Sequence, residues 1–406
     1  MYKRINIIVA LIFVLFFTAC SSSSKEPKTI KSKNRTVLVY IAGANSLRSL
    51  VNADLQEMKE GLAKVDSKDL DLANLLVYRE ASGSKERLKP QLLKLERKGE
   101  EVYWEVVKEY NSQISTDVEV MSQVFTDVYT DYTADSYGLV LWSHADGWLY
   151  AGHSRINSRW FGQDYDGSDY HYMDIIGLNE ALKSAPHLDF LLFDACFMQS
   201  LEVAYQLKDK ADFMLGSPTE IPGPGAPYQF VVPALFQDTK SVAFDVAEAY
   251  YDYYSDKYNG GVGSSNSNWT SGVSMAVLNM KELDAFAYTT NSVLSENELK
   301  YDALNFTDVM YYDKQSRVRY YYIDMLGVMK NNISIGYSEW EKSFNRLIPY
   351  FKTTPTNYSS YVRNFSMIEA NGLSFYVPRS PISGFDFEKE NNYYKTLDWW
   401  KVMQSK

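Results

Sequence analysis

Two residue types that together make an activated nucleophile are scarce in this chain: it has 2 cysteines and 4 histidines. Cys196 closes the segment Leu188-Asp189-Phe190-Leu191-Leu192-Phe193-Asp194-Ala195-Cys196. His144 comes two residues after Tyr137-Gly138-Leu139-Val140-Leu141-Trp142. A thiol beside an imidazole is the smallest arrangement that gives a thiolate nucleophile with an acid–base partner. The remaining histidines are less well placed: His153 and His171 fall in a polar stretch, and His187 precedes the apolar run that leads to Cys196. No His/Cys pair has i,i+3 or i,i+4 spacing and no HExxH occurs, so no metal site is expected. A GxSxG elbow is also absent, which argues against a serine hydrolase. Each residue alone has a plainer reading, a satisfied structural histidine and a small buried thiol. The stretch Phe197 to Leu207 reads as a helix, and a helix N-terminus next to Cys196 would favour the thiolate.

The elements that must position this pair are legible in the apolar pattern. Continuous runs over 137–142 and 188–193 do not alternate as a half-exposed strand does, and strands covered on both faces look like this. Thr36 to Ile41, Leu75 to Tyr78 and Val102 to Val107 read as further strands. Ser46 to Leu62 has helical spacing, Thr116-x-x-Glu119 resembles a capping box, and a helix is expected near Asp174 to Ser184. A rigid turn at Pro222 to Pro227 leads into a Tyr-rich half. That half is read with helices at 242–258, 317–329 and 340–351, and strands at 273–278 and 373–377. The β-α-β alternation predicts an α/β fold with a mostly parallel central sheet flanked by helices.

The N-terminus sets the compartment. Lys3 and Arg4 precede an apolar run from Ile5 to Phe17, too short to span a bilayer, which ends at Phe17-Thr18-Ala19-Cys20. This reads as a lipoprotein signal peptide over 1–20 with Cys20 lipidated, then a Ser-rich tether over 21–35. An exported protein held at the membrane by lipid, in the outer membrane of a bacterial envelope, is expected. Cys196 is then left without an intramolecular partner, outside any disulfide framework. The net charge of −10 and the absence of a basic patch argue against nucleic acid as a partner. Beyond the tether, a catalytic domain over 36–240 and an α/β extension over 241–406 packed on it are expected.

These segments also resemble the clostripain family of cysteine peptidases. The resemblance rests on Tyr137 to His144 with Gly147-Trp148, on Phe193-Asp194-Ala195-Cys196-Phe197-Met198, and on Tyr40 to Asn45 before Asp54-Leu55-x-Glu57-Met58. Ser217 to Tyr228 and Gly372 to Pro378 add to it. It implies a caspase-like fold and cleavage after Arg or Lys by His144 and Cys196. Asp194 matches the acid that lines the pocket for the basic side chain, walled by Ser217 and Glu220. The backbone N–H groups of residue 145 and Cys196 are expected to bind the oxyanion. Residue 145 is Ala145 where the family has Gly, which keeps the N–H and narrows the backbone freedom.

The resemblance further implies activation by self-cleavage between His144 and Cys196, with Arg155 and Arg159 as the candidate sites, giving a monomer nicked into two chains. No cofactor is required. Calcium is the one candidate ion, and the run Asp164 to Asp169 is read as an ordinary acidic turn, because its Gly comes too early for an EF-hand loop. The rival from another class is a non-catalytic surface lipoprotein, its 33 Tyr and 8 Trp stacking on glycans or peptides.

Overall fold

A computed structural model describes residues 35–83, 88–149, 161–237, 241–314, 320–382 and 384–404. The candidate sites Cys20, Arg155 and Arg159, the signal peptide and nearly all of the tether lie outside the described residues.

The strands are β1 (Arg35–Ala42), β2 (Ala73–Glu80), β3 (Gln91–Lys98), β4 (Glu101–Glu109), β5 (Ser136–Trp142), β6 (Phe161–Tyr165), β7 (Tyr170–Met173), β8 (Leu188–Asp194), β9 (Ala211–Gly216), β10 (Ser274–Asn279), β11 (Ile323–Asp324), β12 (Tyr350–Thr353), β13 (Thr356–Ser359), β14 (Arg363–Ser366) and β15 (Ser374–Phe375). The helices are α1 (Val51–Ala63), α2 (Val118–Asp131), α3 (Ile175–Ala181), α4 (Leu201–Gln206), α5 (Tyr228–Leu235), α6 (Val242–Lys257), α7 (Leu283–Glu296), α8 (Met325–Asn332), α9 (Tyr337–Leu347), α10 (Glu388–Tyr394) and α11 (Asp398–Gln404).

The centre is a nine-stranded sheet in the order β12-β10-β9-β8-β5-β1-β2-β3-β4. Its five middle strands, β9 to β2, pair in parallel, and antiparallel pairs extend it at both edges. The expected α/β class with a mostly parallel sheet is therefore the observed one. Alternate residues of one strand feed two cores. Leu38, Tyr40 and Ala42 of β1 pack with α2, α3 and α4, while Val37, Val39 and Ile41 pack with α1, α5 and α6. Burial on both faces is why these strands are apolar throughout. β10 and β12 follow residue 240 in the chain and join the same sheet.

Gly138 of β5 is fixed by close approach. It pairs with Phe190 of β8, and a Cβ there would lie 2.4 Å from the Phe190 ring.

Several expected boundaries move, each for a local reason. α1 begins at Val51 rather than Ser46, because the Asn45 side chain accepts the Leu47 N–H at 2.8 Å and turns the chain first. The capping box at Thr116 does not form: Asp117 is the N-cap of α2, and the Thr116 hydroxyl is buried without a hydrogen-bond partner among the described residues. β3 escaped the sequence reading, since its charges break the apolar run. The helix expected at 317–329 starts only at Met325, where the Asp324 side chain caps it by accepting the Gly327 N–H. The helix expected to reach 351 ends at Leu347, and Tyr350 opens edge strand β12.

Candidate active site

β5 and β8 are neighbours in parallel register, with Trp142 opposite Asp194. His144 and Cys196 each lie two residues further on, so both leave the sheet at its carboxyl-end rim, where open α/β sheets carry their ligands. The β1–α1 turn supports the histidine. Asn45 donates to the carbonyls of Ala42 and Gln163, both at 2.9 Å, and Ser143 Oγ donates to the Ala42 carbonyl at 2.7 Å. Ser46 Oγ then meets His144 Nε2 at 2.7 Å. The Gly162 N–H donates to the His144 carbonyl at 3.0 Å, and Ala145 bridges Phe161. Sequence reasoning matched the segment to Asn45 and stopped one residue short of Ser46.

The thiol side differs from expectation in one respect. The helix after Cys196 does not start at Phe197. It starts at Leu201, capped by Ser200, and runs only to Gln206. Phe197 has a φ of 59°, a left-handed backbone that no helix continues. The thiol therefore lacks the helix terminus expected to lower its pKa. It accepts the Ile221 N–H at 3.4 Å instead. Burial pushes the Cys196 pKa well above the usual thiol range, with Glu220, Asp146 and Asp194 pushing the same way and the Ile221 N–H opposing. Burial also lowers the pKa of His144. Desolvation thus acts on both groups in favour of their uncharged forms, the thiol and the imidazole.

Asp194 is 2% exposed. Its Oδ2 accepts from the Ala226 N–H and the Tyr228 hydroxyl, both at 3.0 Å, and its Oδ1 from the Tyr250 hydroxyl at 3.2 Å. Burial raises its pKa to about 6 against these donors. Two more acids on α1 stand near it. Burial, then the charges of Asp194 and Glu57, raise Asp54 to about 9, and its Oδ2 is buried without a hydrogen-bond partner. Burial raises Glu57 to about 7, opposed by the Tyr228 N–H that it accepts at 3.1 Å. No lysine or arginine forms an ion pair with Asp194 or Asp54 among the described residues. The Asp54-x-x-Glu57 spacing was visible in the sequence, but its proximity to Asp194 is a property of the fold.

Of the expected pocket walls, Ser217 is buried and its hydroxyl pairs with that of Ser274 at 2.8 Å. Glu220 accepts the Ser360 N–H at 2.9 Å and its hydroxyl at 3.0 Å, and burial raises its pKa. In the acidic turn, Asp166 accepts the N–H groups of Ser168 and Asp169 and meets His171 Nε2 at 2.7 Å. Asp164 points elsewhere, to the Ser115 N–H. Among the described residues no group of three or more His, Cys, Asp or Glu side chains is arranged to hold a metal ion.

A thiol and an imidazole at the rim of a mostly parallel sheet, above a buried carboxylate, define a cysteine-peptidase type of α/β protein. The comparisons place it more closely: the clostripain family model matches residues 39–405, and the chain belongs to that family of cysteine peptidases. Clostripain from Hathewaya histolytica is 28% identical over 227 residues, which is 50% of this chain and 42% of that protein. The chain is similar at 41% identity, with a TM-score of 0.80, to a secreted C11 cysteine protease from Bacteroides thetaiotaomicron solved with an irreversible peptide inhibitor; the match covers 91% of this chain and 99% of that one. An inactive zymogen C11 protease from Parabacteroides distasonis matches at 30% identity with a TM-score of 0.75, covering 91% and 98%. Family membership favours the peptidase over the non-catalytic lipoprotein.

Proposed function

We propose that this chain is an endopeptidase that cleaves peptide bonds after Arg or Lys, with Cys196 as nucleophile and His144 as its acid–base partner. The observation that carries the specificity is the buried carboxylate Asp194, to which no protein cation is paired among the described residues. A buried anion without a counter-charge is costly, and a guanidinium or ammonium from substrate relieves that cost with charge-assisted hydrogen bonds.

With desolvation favouring the uncharged thiol and imidazole, His144 acts as a general base at the moment of attack. It takes the thiol proton as sulfur adds to the carbonyl carbon. The N–H groups of Ala145 and Cys196 receive the oxyanion. Collapse breaks the C–N bond, and His144 gives its proton to the departing amine. Water, deprotonated by His144, then attacks the thioester and releases the carboxylic acid and the free thiol. No cofactor enters these steps.

Self-cleavage at Arg155 or Arg159 fits this specificity, because both are arginines in the stretch between His144 and Cys196. The relative solved as an inactive zymogen supports a processed form. Anchoring through lipid on Cys20 belongs to the same reading, with a monomer acting on exported proteins or peptides. Incubating the purified protein and running a denaturing gel tests processing. Two fragments are expected from the parent, and one chain from Cys196→Ala and from the double change Arg155→Ala, Arg159→Ala. A fully active single chain contradicts it.

A further inference from the structure

The loops that carry His144 and Cys196 come from two strands of the sheet, yet a residue far along the chain joins them. Tyr322 is fully buried, and its ring stacks on Phe197 with centroids 5.0 Å apart and planes 17° from parallel. Its hydroxyl donates to the Asp146 carbonyl. One tyrosine therefore touches the residue after the nucleophile and the residue two beyond the histidine.

The joint has no slack. Gly147 has a φ of +63°, and a Cβ there would lie 2.6 Å from the Tyr322 hydroxyl oxygen and 2.9 Å from the Phe197 carbonyl oxygen. Phe197 itself holds a left-handed backbone that costs a bulky residue energy, and such residues persist only where their surroundings over-determine them. Here the determinants are the Tyr322 stack and the Phe197 N–H, which donates to the Thr219 carbonyl at 3.0 Å. Tyr322 is anchored in turn. Its carbonyl accepts the Tyr312 N–H at 2.8 Å, the Tyr312 carbonyl accepts the Thr219 hydroxyl at 3.3 Å, and the Tyr312 hydroxyl donates to Asp324 at 2.6 Å.

We propose that Tyr322 is a positioning residue which holds the His144 loop and the Cys196 loop in one register through its stack on Phe197 and its hydrogen bond to the Asp146 carbonyl. Pinning that carbonyl fixes the peptide plane after Asp146, which limits rotation of the Ala145 N–H and of the His144 backbone. Pinning Phe197 fixes the peptide that follows the nucleophile. Small misplacements of reacting groups cost orders of magnitude in rate, so the effect falls on the chemical step. The clasp also gives the Tyr-rich half a catalytic purpose. It rests on the reading of His144 and Cys196 as the reacting pair.

The test uses the full exported chain and its Tyr322→Phe, Gly147→Ala and Cys196→Ala variants. A peptidyl electrophile ending in Arg titrates the competent thiols, and amide release is then expressed per titrated site, alongside KM and Tm. Tyr322→Phe keeps the stack and removes the hydrogen bond. It is expected to lower kcat per titrated site by about 10- to 100-fold, with KM moving less than about 3-fold. A purely structural role would lower Tm and the titrated fraction and leave turnover per site intact. Gly147→Ala strikes the same joint from the histidine side and is expected to lower kcat per site as well. Parent turnover per site in both variants, with Cys196→Ala inactive, overturns the clasp and leaves the catalytic pair standing. Activity in Cys196→Ala overturns the pair, and the clasp falls with it.

Discussion

Trp142 and Asp194 face each other as the last paired residues of adjacent parallel strands, and His144 and Cys196 follow them at the same offset of two residues. The sheet register therefore starts the His144 and Cys196 loops at one height. From there, short loop contacts finish the placement: Ser46 on the histidine and the Ile221 N–H on the thiol.

Ser46→Ala removes the hydrogen bond to His144 Nε2. A single such bond is worth about 1 kcal/mol, so kcat/KM is expected to fall by about 5-fold, with thermal stability near that of the parent. Steady-state kinetics beside a melting curve check this. Unchanged kinetics would mean that the histidine needs no help from the β1–α1 turn.

The acid limb of the pH profile is expected to belong partly to Asp194. Its pKa is raised to about 6, so it is anionic above that value and loses its charge as pH falls through it. The pairing with Arg disappears in the same direction. On lowering pH from 7 to 5, kcat/KM is expected to fall more steeply for an Arg substrate than for its uncharged citrulline analogue. Parallel profiles for the two would remove Asp194 from the pocket.

Asp54 gives a stability prediction of definite sign. Its folded pKa of about 9 lies above the ordinary carboxylate value, as do those of Glu57 at about 7 and Asp194 at about 6. At these three groups the folded state binds more protons than the unfolded chain between about pH 4 and pH 9, and the stability they contribute falls as pH rises through that window. Asp54→Asn keeps the shape and removes one such proton. Denaturant titrations at pH 6 and pH 9 are expected to show a smaller loss in the variant than in the parent. An equal loss would show that Asp54 is already ionised at pH 6.

Gly138→Ala places a methyl group against the Phe190 ring between the two strands that carry the site. Overpacking of this kind costs about 1–3 kcal/mol. A lowered Tm is expected, together with weaker activity per molecule if β5 and β8 shift apart. A parent-like Tm would mean that Phe190 swings aside freely.

The parts of this fold that could be read from sequence are those set by local pattern. The runs at 137–142 and 188–193 are apolar throughout because both faces of the sheet are covered, and Cys196 follows one of them. What could not be read depends on distant partners. The Phe197 turn delays the next helix by four residues through a left-handed backbone held by the distant Tyr322. The Asp54, Glu57 and Asp194 carboxylates become neighbours only when α1 packs on the sheet face that it shares with α5 and α6. Thr116 failed as a cap because Asp117, one residue later, took the extended N-cap conformation.

The most direct test of the central claim is amide release from short fluorogenic peptides ending in Arg, Lys, Asp or Ala, measured for the parent, Cys196→Ala and Asp194→Asn. Release after Arg and Lys alone is expected, absent in Cys196→Ala and strongly reduced in Asp194→Asn through a raised KM. Equal release after Ala or Asp, or full activity in either variant, would contradict a Cys196 peptidase that reads its substrate's positive charge with Asp194.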